Sequence, residues 1–310
     1  MKEKVLVATE KPFAREALAQ MKEIVEGAGF EFILLEKYQS HDELLQTAKE
    51  ANALIVRSDK VDKALFEAAD DLKIVVRAGA GYDNIDLDAA TEKKVVAMNT
   101  PGQNSNAVAE LVLGMMVYTI RNHFNGTAGT ELRGKKMGIH AYGHVGRIVG
   151  MISKGFGMKV YSFDPFIDKI FIENDGVKYE AEVSELYSKC QYISLHLPLT
   201  DKTRESVNFD LLSKMPKGAM IVNTARKEII NERDLLRMFE ERPDFKYVSD
   251  VAPDCAEEIE TKYPGRFFFT PKKMGAQTAE ANINAGVAAA TQIVNFFKND
   301  DHKFQLNTLS

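Results

Sequence analysis

The chain has 310 residues, enough for two domains with complete cores, and its 45% hydrophobic and 27% charged residues are those of an ordinary globular protein. A net charge of −5 argues against a general nucleic-acid surface, and two cysteines, Cys190 and Cys255, cannot build a disulfide framework or a metal cluster, so no metal is expected. The longest apolar stretch, Ala107 to Ile120, contains Glu110 and is too short for a bilayer; with no leader-like run after Met1, a cytoplasmic protein without a membrane partner is expected.

In the first third, apolar runs at 5–8, 30–35, 53–57, 74–77 and 95–98 read as strands, separated by amphipathic segments such as 14–26 and 41–51. Asn99-Thr100-Pro101-Gly102 then forms a turn, and a long helix opens near Asn104. Further strands are expected at 136–141, 159–163, 192–196, 219–222, 247–250 and 267–270, again with helices between them. Strict alternation predicts two α/β domains, each a doubly wound parallel sheet. The alanine-rich last helix, about 279–298, would return to the first domain, giving boundaries of 1–98 plus 283–310 and 99–282. The polar tail from Asp300 to Ser310 is expected to be only loosely held.

One stretch carries the strongest chemical signal. Lys136-Met137-Gly138-Ile139-His140 leads into Ala141-Tyr142-Gly143-His144-Val145-Gly146; a helical segment follows, then a second apolar run, Met158 to Phe163, ending on Asp164. Strand, glycine turn, helix, strand and acid is the layout of a dinucleotide site, where glycines let backbone N–H groups approach a pyrophosphate at a helix N-terminus. Asp164 can accept both ribose hydroxyls and would repel a 2′-phosphate, which favours NAD over NADP. Ala141 stands where the first glycine belongs; it is small enough for the turn but resists positive φ. The plainer alternative is an ordinary βα turn.

Ligands in such sheets bind beyond the carboxyl ends of the strands. There lie Arg57-Ser58, Arg77-Ala78-Gly79-Ala80-Gly81, Asn99, Asn104, His196-Leu197-Pro198, Asn223-Thr224-Ala225-Arg226, Asp250 and Lys273-Met274-Gly275-Ala276, all expected to face one cleft. Arg57, Arg77, Arg226 and Lys273 outnumber Asp164 and Asp250, which suggests a small, multiply anionic substrate. The loop after Arg77 is either an anion nest of backbone N–H groups or a plain glycine turn. Arg226, at the tip of a buried strand, needs a partner: a substrate carboxylate or a nearby acid. Among the histidines, His140 lies inside a strand, His144 in the glycine turn and His196 at a strand end as a pocket wall; none clearly offers a base.

The segments Arg77–Asp86, Asn99–Gly102, Ala107–Leu111, Leu195–Thr200 and Val222–Arg226 resemble the D-isomer-specific 2-hydroxyacid dehydrogenases, in order and across essentially the whole chain. The resemblance implies a Rossmann-type NAD-binding second domain, a substrate-binding first domain and a homodimer. It further implies oxidation of D-3-phosphoglycerate to 3-phosphohydroxypyruvate, the first step of serine biosynthesis, by a short form ending after the two core domains. Arg226 would hold the substrate carboxylate and carbonyl oxygen, and Asp250 would orient the nicotinamide amide. Arg57, Ser58, Asn104 and the Arg77-Ala78-Gly79 segment would contact substrate, with Arg77 on the phosphate side. His144 and Val145 would supply pyrophosphate-binding amides, within a cofactor wall of Ala141, Gly143, Gly146, Asp164, His196, Leu197, Pro198, Thr224, Ala225, Gly275 and Ala276.

Two departures from the family pattern bear on catalysis. Lys273 takes the place of the family's histidine, and Cys255 falls where a glutamate is usual, so a Glu–His pair is replaced as a unit. A glutamate would keep a histidine charged; a lysine, ordinarily near about 10.4, needs the opposite influence, expected here from burial, Arg226 and Lys272. Lys273 would then donate a proton in reduction and accept one in oxidation, the latter favoured by alkaline pH, or it would supply charge alone. The rival readings are a glyoxylate or hydroxypyruvate reductase, which has no need of phosphate contacts, and a catalytically silent NAD(H)-sensing protein.

Overall fold

A computed structural model describes residues 2–309. The chain divides into two units: one runs to Asn104 and resumes at Thr278, and the other is Ser105–Gln277. These boundaries lie inside the expected second domain at both ends, because both connecting segments bond to the first unit. Thr100 N–H donates to Gly79 O at 3.0 Å, and the Asn282 side chain accepts from Arg57.

The first unit is built on β1 (Lys4–Thr9), β2 (Glu31–Glu36), β3 (Ala53–Val56), β4 (Ile74–Arg77) and β5 (Val96–Asn99), all parallel, in the order β2-β1-β3-β4-β5. The central strands are continuous apolar runs because helices cover both faces. Side-chain caps start those helices where the sequence places them: Ser40 accepts from Glu43 N–H, Asp62 from Leu65, Asp86 from Ala89 and Thr278 from Ala281. The last helix, Ala279–Asn299, packs on Arg15–Gly27, where a Cβ on Gly286 would come within 2.8 Å of Met21 Sδ.

The tail departs from expectation. Leu306 N–H donates to Ala97 O at 2.8 Å, and buried Asn307 both accepts from Ala97 N–H and donates to Val95 O at 2.9 Å. One amide side chain thus satisfies the edge of β5, so the polarity read as looseness is edge pairing.

The second unit carries β6 (Lys136–His140), β7 (Lys159–Phe163), β8 (Lys178–Tyr179), β9 (Tyr192–Leu195), β10 (Met220–Asn223), β11 (Lys246–Ser249) and β12 (Phe267–Phe269). All are parallel, in the order β12-β11-β10-β9-β6-β7-β8. The helix Ser105–Ile120 buries nine of its residues and packs on His144–Gly155, making it a core helix of this unit. Since every strand runs the same way, the turns after β6, β7, β9, β10 and β11 gather along one edge of the sheet.

Candidate active site

The turn after β6 is tight. Ala141 adopts φ +78°, the left-handed region it was expected to resist, and Tyr142 N–H donates to Asp164 Oδ2 at 2.7 Å. That bond, from the turn to the end of the neighbouring strand, holds the alanine in place. The helix His144–Gly155 starts at Gly143 with no side-chain cap, so its first N–H groups are left for a ligand. A Cβ on Gly143 would meet nothing within 4 Å, leaving room over the turn. A Cβ on Gly146 would sit 2.3 Å from Ala141 O and 2.9 Å from Ile139 Cγ2. Gly146 therefore lets helix and turn touch; it is a packing residue, whereas His144 borders the open space.

That space is a pocket of about 680 Å³ lined by Gly143, His144, Arg147, Asp164, Phe166, Phe171 and Tyr179 among others. Asp164, one of its lining residues, is buried. Its Oδ1 accepts Phe166 N–H at 2.8 Å and Ile167 N–H at 3.1 Å, and its Oδ2 accepts Tyr142 N–H. A carboxylate offers about four acceptor sites, so one remains, on Oδ2. Where the sequence reading expected room for two ribose hydroxyls, three protein donors leave one acceptor site, because the aspartate also organises the loop on either side of it.

Asp250, at the end of β11, repeats the pattern. It is 1% exposed. Its Oδ1 accepts Met274 N–H at 2.7 Å and Thr270 Oγ1 at 3.0 Å, and its Oδ2 accepts Gly275 N–H at 2.8 Å. A Cβ on Gly275 would press to 2.9 Å from that oxygen. The carboxylate thus fixes the turn that follows Lys273. One acceptor site on Oδ2 is left by these donors, and the Gly275 N–H is already engaged. Thr270, which sequence reading used only as a strand end, is the third support of this turn.

Between these two aspartates lie the ends of β9 and β10. His196 Nε2 sits 2.8 Å from Ser194 Oγ, and burial, with His140 nearby, pushes its imidazole down to about 3. The imidazole is therefore neutral near pH 7. Leu197 is half-buried and Pro198 exposed beside it. Asn223 shapes the next turn: its Oδ1 accepts Ala225 N–H at 3.0 Å, and its Nδ2 donates to Arg226 O at 2.9 Å. Thr224 Oγ1 is buried with no partner among the described residues, which points to a ligand atom. Arg226 is half-buried and donates from NH1 to Ala225 O at 2.9 Å. Lys273 is exposed, so the burial expected for it is absent.

Cys255 is half-buried, and burial followed by the charge of Glu232 pushes its thiol up to about 12, so it is no nucleophile. Glu232 accepts Asp254 N–H at 2.8 Å and Cys255 N–H at 2.9 Å, and Lys227 pairs with Asp254. The loop that the family's glutamate would occupy is thus anchored from below by a different glutamate. Sequence reading missed Glu232 because it opens a helix 23 residues earlier.

In the first unit, Arg57 follows β3 and Arg77 ends the adjacent β4, and Arg77 Nε donates to Arg57 O at 3.0 Å. Arg57 reaches Lys11 O at 3.0 Å, Pro12 O at 3.1 Å and Asn282 Oδ1 at 2.5 Å. Ser58 is exposed and Asn104 half-buried. Of the two readings of the loop after Arg77, the plain turn fits Ala78 and Gly79: their N–H groups donate to Val56 O and Arg77 O, and the Arg77 guanidinium lies over Gly79.

Open space above Gly143, an orphan hydroxyl on Thr224 and one acceptor site on each of Asp164 and Asp250 together fit an extended dinucleotide along this edge. Residues 113–264 match the model of the D-isomer specific 2-hydroxyacid dehydrogenase NAD-binding domain. The chain is 37% identical over 271 residues to D-3-phosphoglycerate dehydrogenase of Methanocaldococcus jannaschii, covering 81% of this chain and 51% of that protein. It is 35% identical to hydroxypyruvate reductase of Thermotoga maritima, covering 81% of this chain and 87% of that one. A crystal structure of NAD+-bound 3-phosphoglycerate dehydrogenase from Entamoeba histolytica superposes with a TM-score of 0.90 at 48% identity over the whole of both chains. The chain spans about half the length of the Methanocaldococcus relative.

Proposed function

We propose, from the premise that this chain belongs to the D-isomer-specific 2-hydroxyacid dehydrogenases, that it oxidises D-3-phosphoglycerate at C2 to 3-phosphohydroxypyruvate with NAD, runs the reverse reduction, and opens serine biosynthesis. The observation that carries this reading is the Asp250-held turn, which places Lys273 on the same sheet edge as the Asn223-shaped turn bearing Arg226.

The amides of His144 and Val145 would hold the pyrophosphate of NAD, Asp164 its adenosine ribose, and Thr224 and Asp250 its nicotinamide end. NAD, when bound, supplies the hydride acceptor. Arg226 binds the substrate carboxylate and carbonyl oxygen through parallel N–H groups. In reduction the Lys273 ammonium polarises the ketone and gives its proton to the oxygen; in oxidation the neutral amine takes that proton from the hydroxyl, which raises the oxidative rate toward alkaline pH. Arg57 and Arg77 take the phosphate. A homodimer and a cytoplasmic location belong to the same proposal; among the described residues no helix is long and apolar enough to cross a membrane.

A second reading, a glyoxylate or hydroxypyruvate reductase, draws on the Thermotoga relative and on Arg57, three of whose hydrogen bonds already go to the protein's own acceptors. Loss of NADH absorbance with 3-phosphohydroxypyruvate, hydroxypyruvate and glyoxylate, repeated with NADPH, separates the readings. The proposal expects NADH-linked turnover with kcat/KM highest for the phosphorylated acid. Higher kcat/KM for an unphosphorylated acid supports the reductase, and NADH binding without turnover supports a sensor.

A further inference from the structure

A buried acid in the first unit has no part in the chemistry above. Asp59 is 5% exposed, and its carboxylate collects donors from the ends of three strands. Its Oδ1 accepts Glu10 N–H, just past β1, at 2.7 Å and Tyr38 OH, just past β2, at 2.8 Å; its Oδ2 accepts Arg57 N–H, just past β3, at 3.0 Å. Its own carbonyl accepts Asn84 Nδ2 at 2.7 Å. A charge is costly to bury unless several donors meet it, and here they do.

Arg57 is the residue this arrangement fixes most completely. Asp59 holds its N–H and Arg77 Nε holds its C=O, so the peptide groups on both sides are pinned. Its side chain crosses to the β1 loop that Asp59 also holds, bonding Lys11 O and Pro12 O and lying 5.3 Å from the centre of the Phe13 ring. Burial lowers the basicity of the Arg57 guanidinium, and the charge of Asp59 opposes that. Main chain and landing site of one arginine therefore both depend on one carboxylate. The sheet itself does not need it: β1, β2 and β3 are already paired along their lengths.

We infer that Asp59 is a positioning residue for substrate discrimination: by tying the loops after β1, β2 and β3 together, it sets Arg57 to receive the phosphate of the substrate. This rests on the reading that Arg57 is a phosphate contact. Asp59 touches no substrate itself. Tyr38 is its support, and removing that hydroxyl leaves the Arg57 N–H bond in place.

The test is steady-state kinetics with NADH on wild type, Asp59→Asn, Tyr38→Phe and Arg57→Ala, using 3-phosphohydroxypyruvate and hydroxypyruvate as substrates. In Asp59→Asn the new amide N–H₂ cannot accept from Arg57 N–H while the other acceptor is kept. KM for 3-phosphohydroxypyruvate should rise about tenfold or more, the scale of one charged hydrogen bond. Its kcat should fall less than about threefold, a KM-type loss of binding, while KM for hydroxypyruvate and for NADH stays at the wild-type value. Tyr38→Phe should shift the same KM in the same direction by a smaller factor. An equal rise of KM for both acids, or a lower unfolding temperature in both variants with KM unchanged, overturns the inference and leaves Asp59 a structural residue. If Arg57→Ala does not itself discriminate between the two acids, the phosphate reading of Arg57 fails, and the inference with it. If Arg57→Ala discriminates and neither Asp59→Asn nor Tyr38→Phe does, the inference alone fails.

Discussion

Ala141 shows how one residue type can contradict its own preference. A non-glycine side chain at positive φ costs about 1–2 kcal/mol, yet the Tyr142–Asp164 bond and the close seat of Gly146 leave the turn no other path. Ala141→Gly should therefore leave the unfolding temperature unchanged or raise it, since relief of strain offsets the freer unfolded chain. A fall of more than a few degrees, read by thermal unfolding without cofactor, would show that the alanine is unstrained. The sequence located Asp164 and Asp250 at strand ends. It did not reveal that each already holds three donors, because those are loop amides and, at Asp250, the Thr270 hydroxyl, whose placement leaves no periodic trace. Lys273, too, was legible as a lysine in a histidine's place, whereas its exposure was not.

At the level of elements, eleven of the twelve strands among the described residues could be read as apolar runs, because a parallel sheet covered on both faces makes each strand nearly continuous in hydrophobicity. The two-residue β8 was too short to carry such a signal, and the tail's attachment depends on Asn307, whose role is visible only beside β5. The glycine turn supplies the element-scale prediction. Gly146→Ala puts a methyl into the Ala141 carbonyl and forces helix and turn apart. The Kd for NADH, from fluorescence titration, should rise at least about tenfold, as expected when a pyrophosphate loses its aligned amides. An unchanged Kd would mean that the turn does not seat the cofactor.

Across the whole molecule, the cations that the sequence grouped in one cleft belong to two units: Arg57 and Arg77 to the first, Arg226 and Lys273 to the second. In the proposed reaction Arg226 and Lys273 come from the second unit, so that unit's stability bears on function. Its core holds His140 neutral, burial pushing the imidazole down to about 4. An unfolded histidine takes a proton below about 6.5 and the folded one refuses it until about 4, so this contribution is complete above about 6.5 and declines as pH falls through that window, by up to about 3 kcal/mol. The unfolding temperature of wild type should drop more between pH 7.5 and pH 5 than that of His140→Gln. Equal drops would mean that His140 is not what resists acid.

The central claim is that Lys273 does the work of the missing Glu–His pair. Its most direct test is single-turnover oxidation of NADH by 3-phosphohydroxypyruvate, comparing wild type with Lys273→Ala across pH 6 to 10. Wild type should turn over at a rate that falls toward alkaline pH, where the proton donor is lost, and the variant should lose about 10²-fold or more of the rate together with that pH dependence, while still binding NADH with wild-type affinity. A variant that reacts at the wild-type rate with the same pH profile would contradict the claim.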